Sequence, residues 1–188
     1  MLRIWCNCYP MEPKLVPLWI LLASKSFVAP FQYVFEGCKL SEATVLAEST
    51  LRVRKLNRTV AGLYGNFTLK LDLDESFTTS IQPFHSPLGN NQFNRYPMKV
   101  GPVGLRDFVD KFWDDYHPFF AKYVIDIPSP GECPISARTM VFNDMQLAGE
   151  LFPPYVPTGL WKLEWIMESG EVRFQLETLI KVYEDGYF

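Results

Sequence analysis

The chain has 188 residues, a formal net charge of −3, 48% hydrophobic and 15% aromatic residues. A mildly acidic chain with no basic run argues against nucleic acid as a partner and against electrostatic docking on anionic lipid. The length suits a single domain, and the rings offer large apolar area to fill a core or line a cavity.

Residues 15–23 form a nine-residue apolar run, preceded by Lys14 and followed by the small residues Ala23, Ser24 and Ser26. A basic flank, a short apolar stretch and small residues at a cleavage point predict a secretory signal peptide over residues 1–26. The run is too short to span a bilayer, which takes about 20 apolar residues. Cleavage after Ser26 is expected, because a cut after Ala29 would abut Pro30. Residues 1–10, with Cys6, Cys8 and Pro10, read oddly ahead of such a signal, so Met11 is the expected start. Processing removes Arg3, Lys14 and Lys25 against Glu12, leaving a more acidic domain over 27–188.

In that domain, 31–36 reads as a first strand closed by Gly37-Cys38, and 41–48 as a turn or short helical piece. Leu51 and Val53 alternate with Arg52 and Arg54, predicting a second strand. A third strand follows Gly62 and Gly65, which suit a bulge or a close backbone approach. Its period of two places Phe67, Leu69, Leu71 and Leu73 on a core face and Asn66, Thr68, Lys70 and Asp72 in water. Residues 76–84 predict another strand with Phe77, Thr79 and Ile81 on one side. Residues 85–91 carry turn chemistry, and 93–100 is extended with Pro97 favouring an edge.

One segment breaks the β pattern. Over 105–116, Leu105, Phe108, Val109, Phe112, Trp113 and Tyr116 recur at helical spacing, with charged residues on the other side. A short amphipathic helix is expected there, ended or kinked by Pro118. The prolines and glycine of 126–134 predict a loop. Strands are expected at 139–147, and 151–157 reads as proline-rich extended chain. Trp161, Leu163, Trp165 and Met167 alternate with polar neighbours, as do Val172, Phe174, Leu176, Thr178, Ile180 and Val182. A turn at Ser169-Gly170 makes the pair a hairpin. Strands spaced about ten residues apart with polar turns predict an all-β antiparallel sandwich with one short helix.

No catalytic or metal-binding motif is present, and no enzyme, cofactor or metal is expected. The two histidines, His85 in a turn and His117 at the helix end, lack the partners of a triad or a zinc site. Asp114 and Asp115 are adjacent on a helix and point roughly 100° apart, poor spacing for shared acid–base work. Cys38 and Cys133 remain after processing; in an oxidising compartment they either pair, worth ~4.5 kcal/mol in the chain-entropy model, or stay as free buried thiols. Secretion would make the sequons Asn57-Arg58-Thr59 and Asn66-Phe67-Thr68 N-glycosylation sites at Asn57 and Asn66. The rings Phe108, Phe112, Trp113, Phe119, Phe120 and Tyr123, with Trp161, Trp165 and Phe174 of the last hairpin, either pack solid or hold the sheets apart around an apolar ligand.

Several short motifs in order also resemble a known family. Leu56-Asn57-Arg58-Thr59 before a glycine-interrupted strand, Gly89-Asn90-Asn91-x-Phe93, Pro97-Met98, Cys133-Pro134 and Pro157-x-Gly159-x-Trp161 resemble a set of secreted insect proteins. That set is allied to the chemosensory-B (CheB) proteins and related to the ML, or MD-2-related lipid-recognition, superfamily. The resemblance covers 31–182. It implies an immunoglobulin-like β-sandwich and a secreted, extracellular carrier or chemosensory recognition protein. Its partners would be a lipid or other small apolar ligand held between the two β-sheets, and a membrane receptor. The alternative is an extracellular protein-interaction module with a solid core and no lipid ligand. Over 102–108, where the family has a cysteine, this chain has none, which leaves Cys133 either paired with Cys38 or free.

Overall fold

The computed structural model describes residues 31–43, 45–153 and 155–184. The expected signal peptide, its cleavage after Ser26 and the Met11 start lie outside the described residues. Two antiparallel sheets carry the fold. The first, sheet A, runs in the order β1 (Phe31–Ala43), β11 (Val172–Glu184), β10 (Gly159–Ser169), β5 (Thr78–Ser86) and β6 (Asn94–Arg95), with β7 (Val100–Gly104) also paired to β5. The second, sheet B, runs β2 (Ala47–Ser49), β4 (Ala61–Leu69), β9 (Arg138–Met145) and β8 (Val124–Ile125), with β3 (Arg52–Lys55) paired to β4 beside β2. The architecture is all-β, as the alternation predicts.

Alternation decides which face of each sheet is buried. On β4, Leu63, Phe67 and Leu69 are buried while Asn66 is exposed. On β11, Phe174, Ile180 and Val182 are buried; Met167, opposite Phe174, and Trp161 and Phe35, on either side of Ile180, are buried with them. The inner faces meet in one cluster, in which Phe67 of sheet B stands edge-on to Phe174 of sheet A at 5.4 Å. Within sheet A, β1 is the strand that comes close to sheet B, running past β3 and β4.

The helical segment fills one side. Leu105 follows β7 directly and donates its N–H to the Phe77 carbonyl at 2.8 Å. It opens a helix α1 (Leu105–Phe108), which widens into a π turn (Val109–Trp113) and continues as α2 (Asp114–Phe120). The segment therefore passes Pro118 and stops two residues later at Phe120, rather than ending at the proline. The π turn also moves the apolar seam. A turn closed by i→i+5 bonds holds more residues than an α turn, so the inward face steps by four. Leu105 and Val109 are buried, Trp113, His117 and Phe120 are half-buried, and Phe112 and Tyr116 are left exposed.

Four other expectations change. The first strand continues through Gly37-Cys38 to Ala43, absorbing a register shift between Phe35 and Gly37, and the turn after it is short. Of the turn or short helical piece expected over 41–48, the described residues show a turn at 45 and 46 leading into β2, with 41–43 belonging to β1. Strand β4 ends at Leu69, so Leu71 is exposed, whereas Leu73 regains the core through a bridge to Ile135. His85 lies within β5 and not in a turn. The glycines of β4 behave as their spacing suggests. The ladder to β9 shifts register between Leu63 and Gly65, and Gly65 adopts a φ of 117°.

Candidate functional site

The inner face of sheet A is sealed at its ends and partly open at its centre. Phe35, Trp161, Ile180 and Val182 close one end, and Met167 and Phe174 close the other. Between them, Cys38 and Leu40 of β1, Thr178 and Leu176 of β11, and Leu163 and Trp165 of β10 are only half-buried. Ladder pairing puts these six on one face: Cys38 and Leu163 each oppose Thr178, and Leu40 and Trp165 each oppose Leu176. The result is a continuous apolar strip, which the smaller sheet B leaves partly uncovered. Its three polar side-chain atoms all have partners. The Cys38 Sγ and Thr178 Oγ1 lie 3.9 Å apart, and the Trp165 Nε1–H donates to Thr79 Oγ1 at 2.7 Å.

The nine rings expected to line a cavity do not converge on this strip. Phe174 is fully buried and edge-on to both Phe67 and Trp165, the latter at 5.3 Å. Trp161 stacks on His85 at 4.5 Å, meets Tyr96 at 4.7 Å, and donates its Nε1–H to the Pro157 carbonyl at 2.9 Å. Along the helix, Trp113 packs on Phe120 and donates to the Pro128 carbonyl at 2.8 Å, tying the 126–134 loop down. Phe108, Phe120 and Tyr123 pack on the core from outside it, Phe112 stacks on Phe108 while facing water, and Phe119 carries Lys122 over its ring. Trp165 alone of the nine belongs to the half-open strip. The positions that sequence reasoning missed, Cys38, Leu40, Leu163, Leu176 and Thr178, are short side chains. The alternation of the hairpin marked three of them as inward-facing but not as uncovered.

No disulfide joins Cys38 to Cys133; both are free thiols. Cys38 lies midway along the edge strand β1 against Thr178, whereas Cys133 sits in the loop near Arg106 and Glu75. Burial pushes the Cys38 thiol up to about 11, with the Thr178 contact pulling slightly the other way. The Cys133 thiol is also raised by burial, against the nearby Arg106 charge. Because the neutral Cys38 thiol is the form the fold favours, its contribution to stability is complete below the ordinary thiol value of 9.0 and is lost as pH rises through about 11. A thiol reagent applied to the native protein at pH 8 should therefore label Cys133 before Cys38. Equal rates at the two positions, read by peptide mass mapping, would contradict the packing described for Cys38.

The sequon asparagines are both exposed. Asn66 lies on the outer side of β4, as parity requires. The Asn57 Oδ1 accepts from the N–H groups of Thr59 and Val60 at 2.9 and 2.8 Å, an Asx-type turn that presents the residue at the surface. His117 lies half-buried beside Trp113, and Asp114 and Asp115 are exposed at the start of α2. Among the described residues no group of histidine, cysteine or acidic side chains is placed to hold a metal ion, and no helix is long and apolar enough to cross a membrane. No family model matches this chain, and no curated protein matches it.

Proposed function

We propose that this protein is a secreted carrier or recognition domain that holds an apolar ligand between its two sheets, in the manner of an ML-like, immunoglobulin-type sandwich. The observation that carries the reading is the half-buried strip of Cys38, Leu40, Leu163, Trp165, Leu176 and Thr178 on one face of sheet A, between the buried ends of the same strands. Apolar surface left in contact with water at the centre of a sandwich forgoes roughly 25 cal/mol per Å² that a bound acyl or terpenoid chain would recover. A face with no charge on it and its polar atoms already paired suits a ligand recognised by shape and not by chemistry. The order of short motifs, which resembles that of secreted insect proteins, and the apolar run at 15–23 support it. The membrane receptor implied by that resemblance would then read the loaded domain.

The reading is tested on full-length protein secreted from insect cells, by native mass spectrometry and organic extraction. An apolar molecule should co-purify, and a neutral apolar fluorescent probe should bind the stripped protein. Leu176→Trp should lower probe affinity at least tenfold by filling the middle of the strip. Absence of both a co-purifying molecule and probe binding would overturn the proposal. The second reading, an extracellular interaction module with a solid core, draws on the exposed rings Phe112 and Tyr116 of the helical segment. It predicts a stable, ligand-free protein in the same experiment.

A further inference from the structure

A second concavity lies on the opposite face of sheet A, away from the strip between the sheets. The chain from β6 to β7 leaves the sheet edge and returns, walling off the outer side of β5 and β10. The hollow is open to solvent on one side and holds about 330 Å³, next to a shallower hollow of about 260 Å³ that shares Gln82, Arg95 and Lys99 with it. A volume of this size lies in the range of small-molecule sites. Its floor is apolar, from Phe84 of β5, Ile166 of β10 and Val100 of β7.

The wall is shaped by the backbone. The ladder between β5 and β7 shifts register between Thr79 and Ile81, so β7 bends at Gly101. Gly101 has a φ of 75°, and a Cβ there would lie 2.4 Å from the Thr79 carbonyl oxygen, so a side chain would push this wall off β5. Bulges of this kind are frequent beside binding sites, where they re-aim side chains.

The charges are not balanced inside the hollow. The Gln82 Oε1 accepts the Arg95 Nε–H at 2.7 Å, while the Gln82 amide donates to the Pro83 and Tyr96 carbonyls at 2.9 and 3.1 Å. Gln82 is thus fixed at both ends and holds the guanidinium by one edge. Among the described residues no partner takes the terminal nitrogens of Arg95, and Lys99 has no ion pair. The one carboxylate of the lining, Glu164, is already neutralised by Lys162, which also lies over the Phe84 and Phe93 rings at 4.6 and 5.5 Å. Arg95 and Lys99, both solvent-exposed, therefore stand at the rim of one apolar hollow with no ion-pair partner among the described residues. An oriented guanidinium with free terminal nitrogens is a fork suited to a carboxylate.

We propose that this outer pocket binds an organic carboxylate with an apolar body of medium length, its head on Arg95 and Lys99 and its tail over Phe84, Ile166 and Val100. The site is separate from the strip between the sheets, so it stands or falls independently of the carrier reading. Octanoate is the probe, titrated into the full chain and followed by amide chemical shifts. Saturable shifts are expected at 80–84, 94–102 and 164–166, with octan-1-ol binding at least tenfold more weakly. The Arg95→Gln/Lys99→Gln variant should lose at least tenfold in octanoate affinity while keeping the unfolding midpoint and the dispersed amide shifts of the unmodified chain outside 80–102, which shows that it is folded. Four results would overturn the proposal: no binding, shifts confined to Cys38, Leu163 and Leu176, octan-1-ol binding as well as octanoate, or undiminished octanoate affinity in the double variant. Competition by inorganic phosphate at equal concentration would show an anion site with no use for an apolar tail, and would overturn it as well.

Discussion

Phe174→Ala should lower the free energy of unfolding by about 3–5 kcal/mol, the range for truncating a buried phenylalanine. The ring is fully buried and is held edge-on by Phe67 from the opposite sheet and by Trp165 from the adjacent strand. Each edge-on aromatic pair adds about 0.5–1.5 kcal/mol beyond the area it covers, and both would be lost together. Neither neighbour can refill the space by a small adjustment: Trp165 is anchored through its indole N–H to Thr79, and Phe67 lies on the central strand of the other sheet. With domain stabilities of about 5–15 kcal/mol, such a loss would bring the protein near its unfolding threshold. Urea denaturation monitored by tryptophan fluorescence would show it as a lower midpoint at unchanged slope. Phe174→Leu, which keeps most of the volume, should cost under about 1.5 kcal/mol. If the alanine variant lost less than about 1 kcal/mol, the sheets would be collapsing onto the site, and the solid part of the core would lie elsewhere.

The same ring shows what could be read ahead of the structure and what could not. Alternation along 172–182 put Phe174, Ile180 and Val182 inward, and they are buried. Period two is imposed by the strand itself, so it survives whatever packs on top. The helical periodicity at 105–116 was equally clear, yet Phe112 and Tyr116 are exposed. A π turn is a local choice of hydrogen-bond register, and a pattern assumed to repeat every 3.6 residues does not contain it. Likewise, the excess of aromatic residues leaves open whether the rings pack solid or line a cavity, and in the structure they are distributed over the inter-sheet core, the Trp161–His85–Tyr96 stack and the helical seam. Which face a residue occupies is a property of its own strand. Whether that face is covered depends on the size and placement of the other sheet, and nothing local to Leu163 or Leu176 encodes it. The outer pocket was hidden for the same reason: Gln82, Arg95 and Lys99 are ordinary polar residues until the β6–β7 segment folds back over β5.

Gly65→Ala should be among the most disruptive single-methyl changes available to this chain, with an expected loss of about 3 kcal/mol or more. Two costs combine. At a φ of 117° an L side chain is strained before any contact is considered, of the order of 1–3 kcal/mol for a residue held in a sparsely populated region. The added Cβ would then lie 2.6 Å from the Thr50 carbonyl oxygen, 3.0 Å from its carbon and 3.2 Å from the Leu51 Cα. All three are backbone atoms, so no side chain can swing aside. Thr50 is where the edge of sheet B breaks from β2 to β3, and it is pinned to the residue beside the glycine. Its N–H donates to the Asn66 carbonyl at 2.9 Å, and its hydroxyl accepts the Asn66 N–H at 3.0 Å. Relieving the clash means stretching both bonds and lifting Leu51, a core residue, off its site. Gly89 separates the two costs. It too has a positive φ, of 64°, but a Cβ there meets nothing within 4 Å, so Gly89→Ala should cost only about 1 kcal/mol. Thermal or urea unfolding of the two variants side by side measures the difference. Equal losses would mean that backbone conformation alone accounts for Gly65, and that the close approach of β4 to the β2–β3 break is not a constraint on the fold.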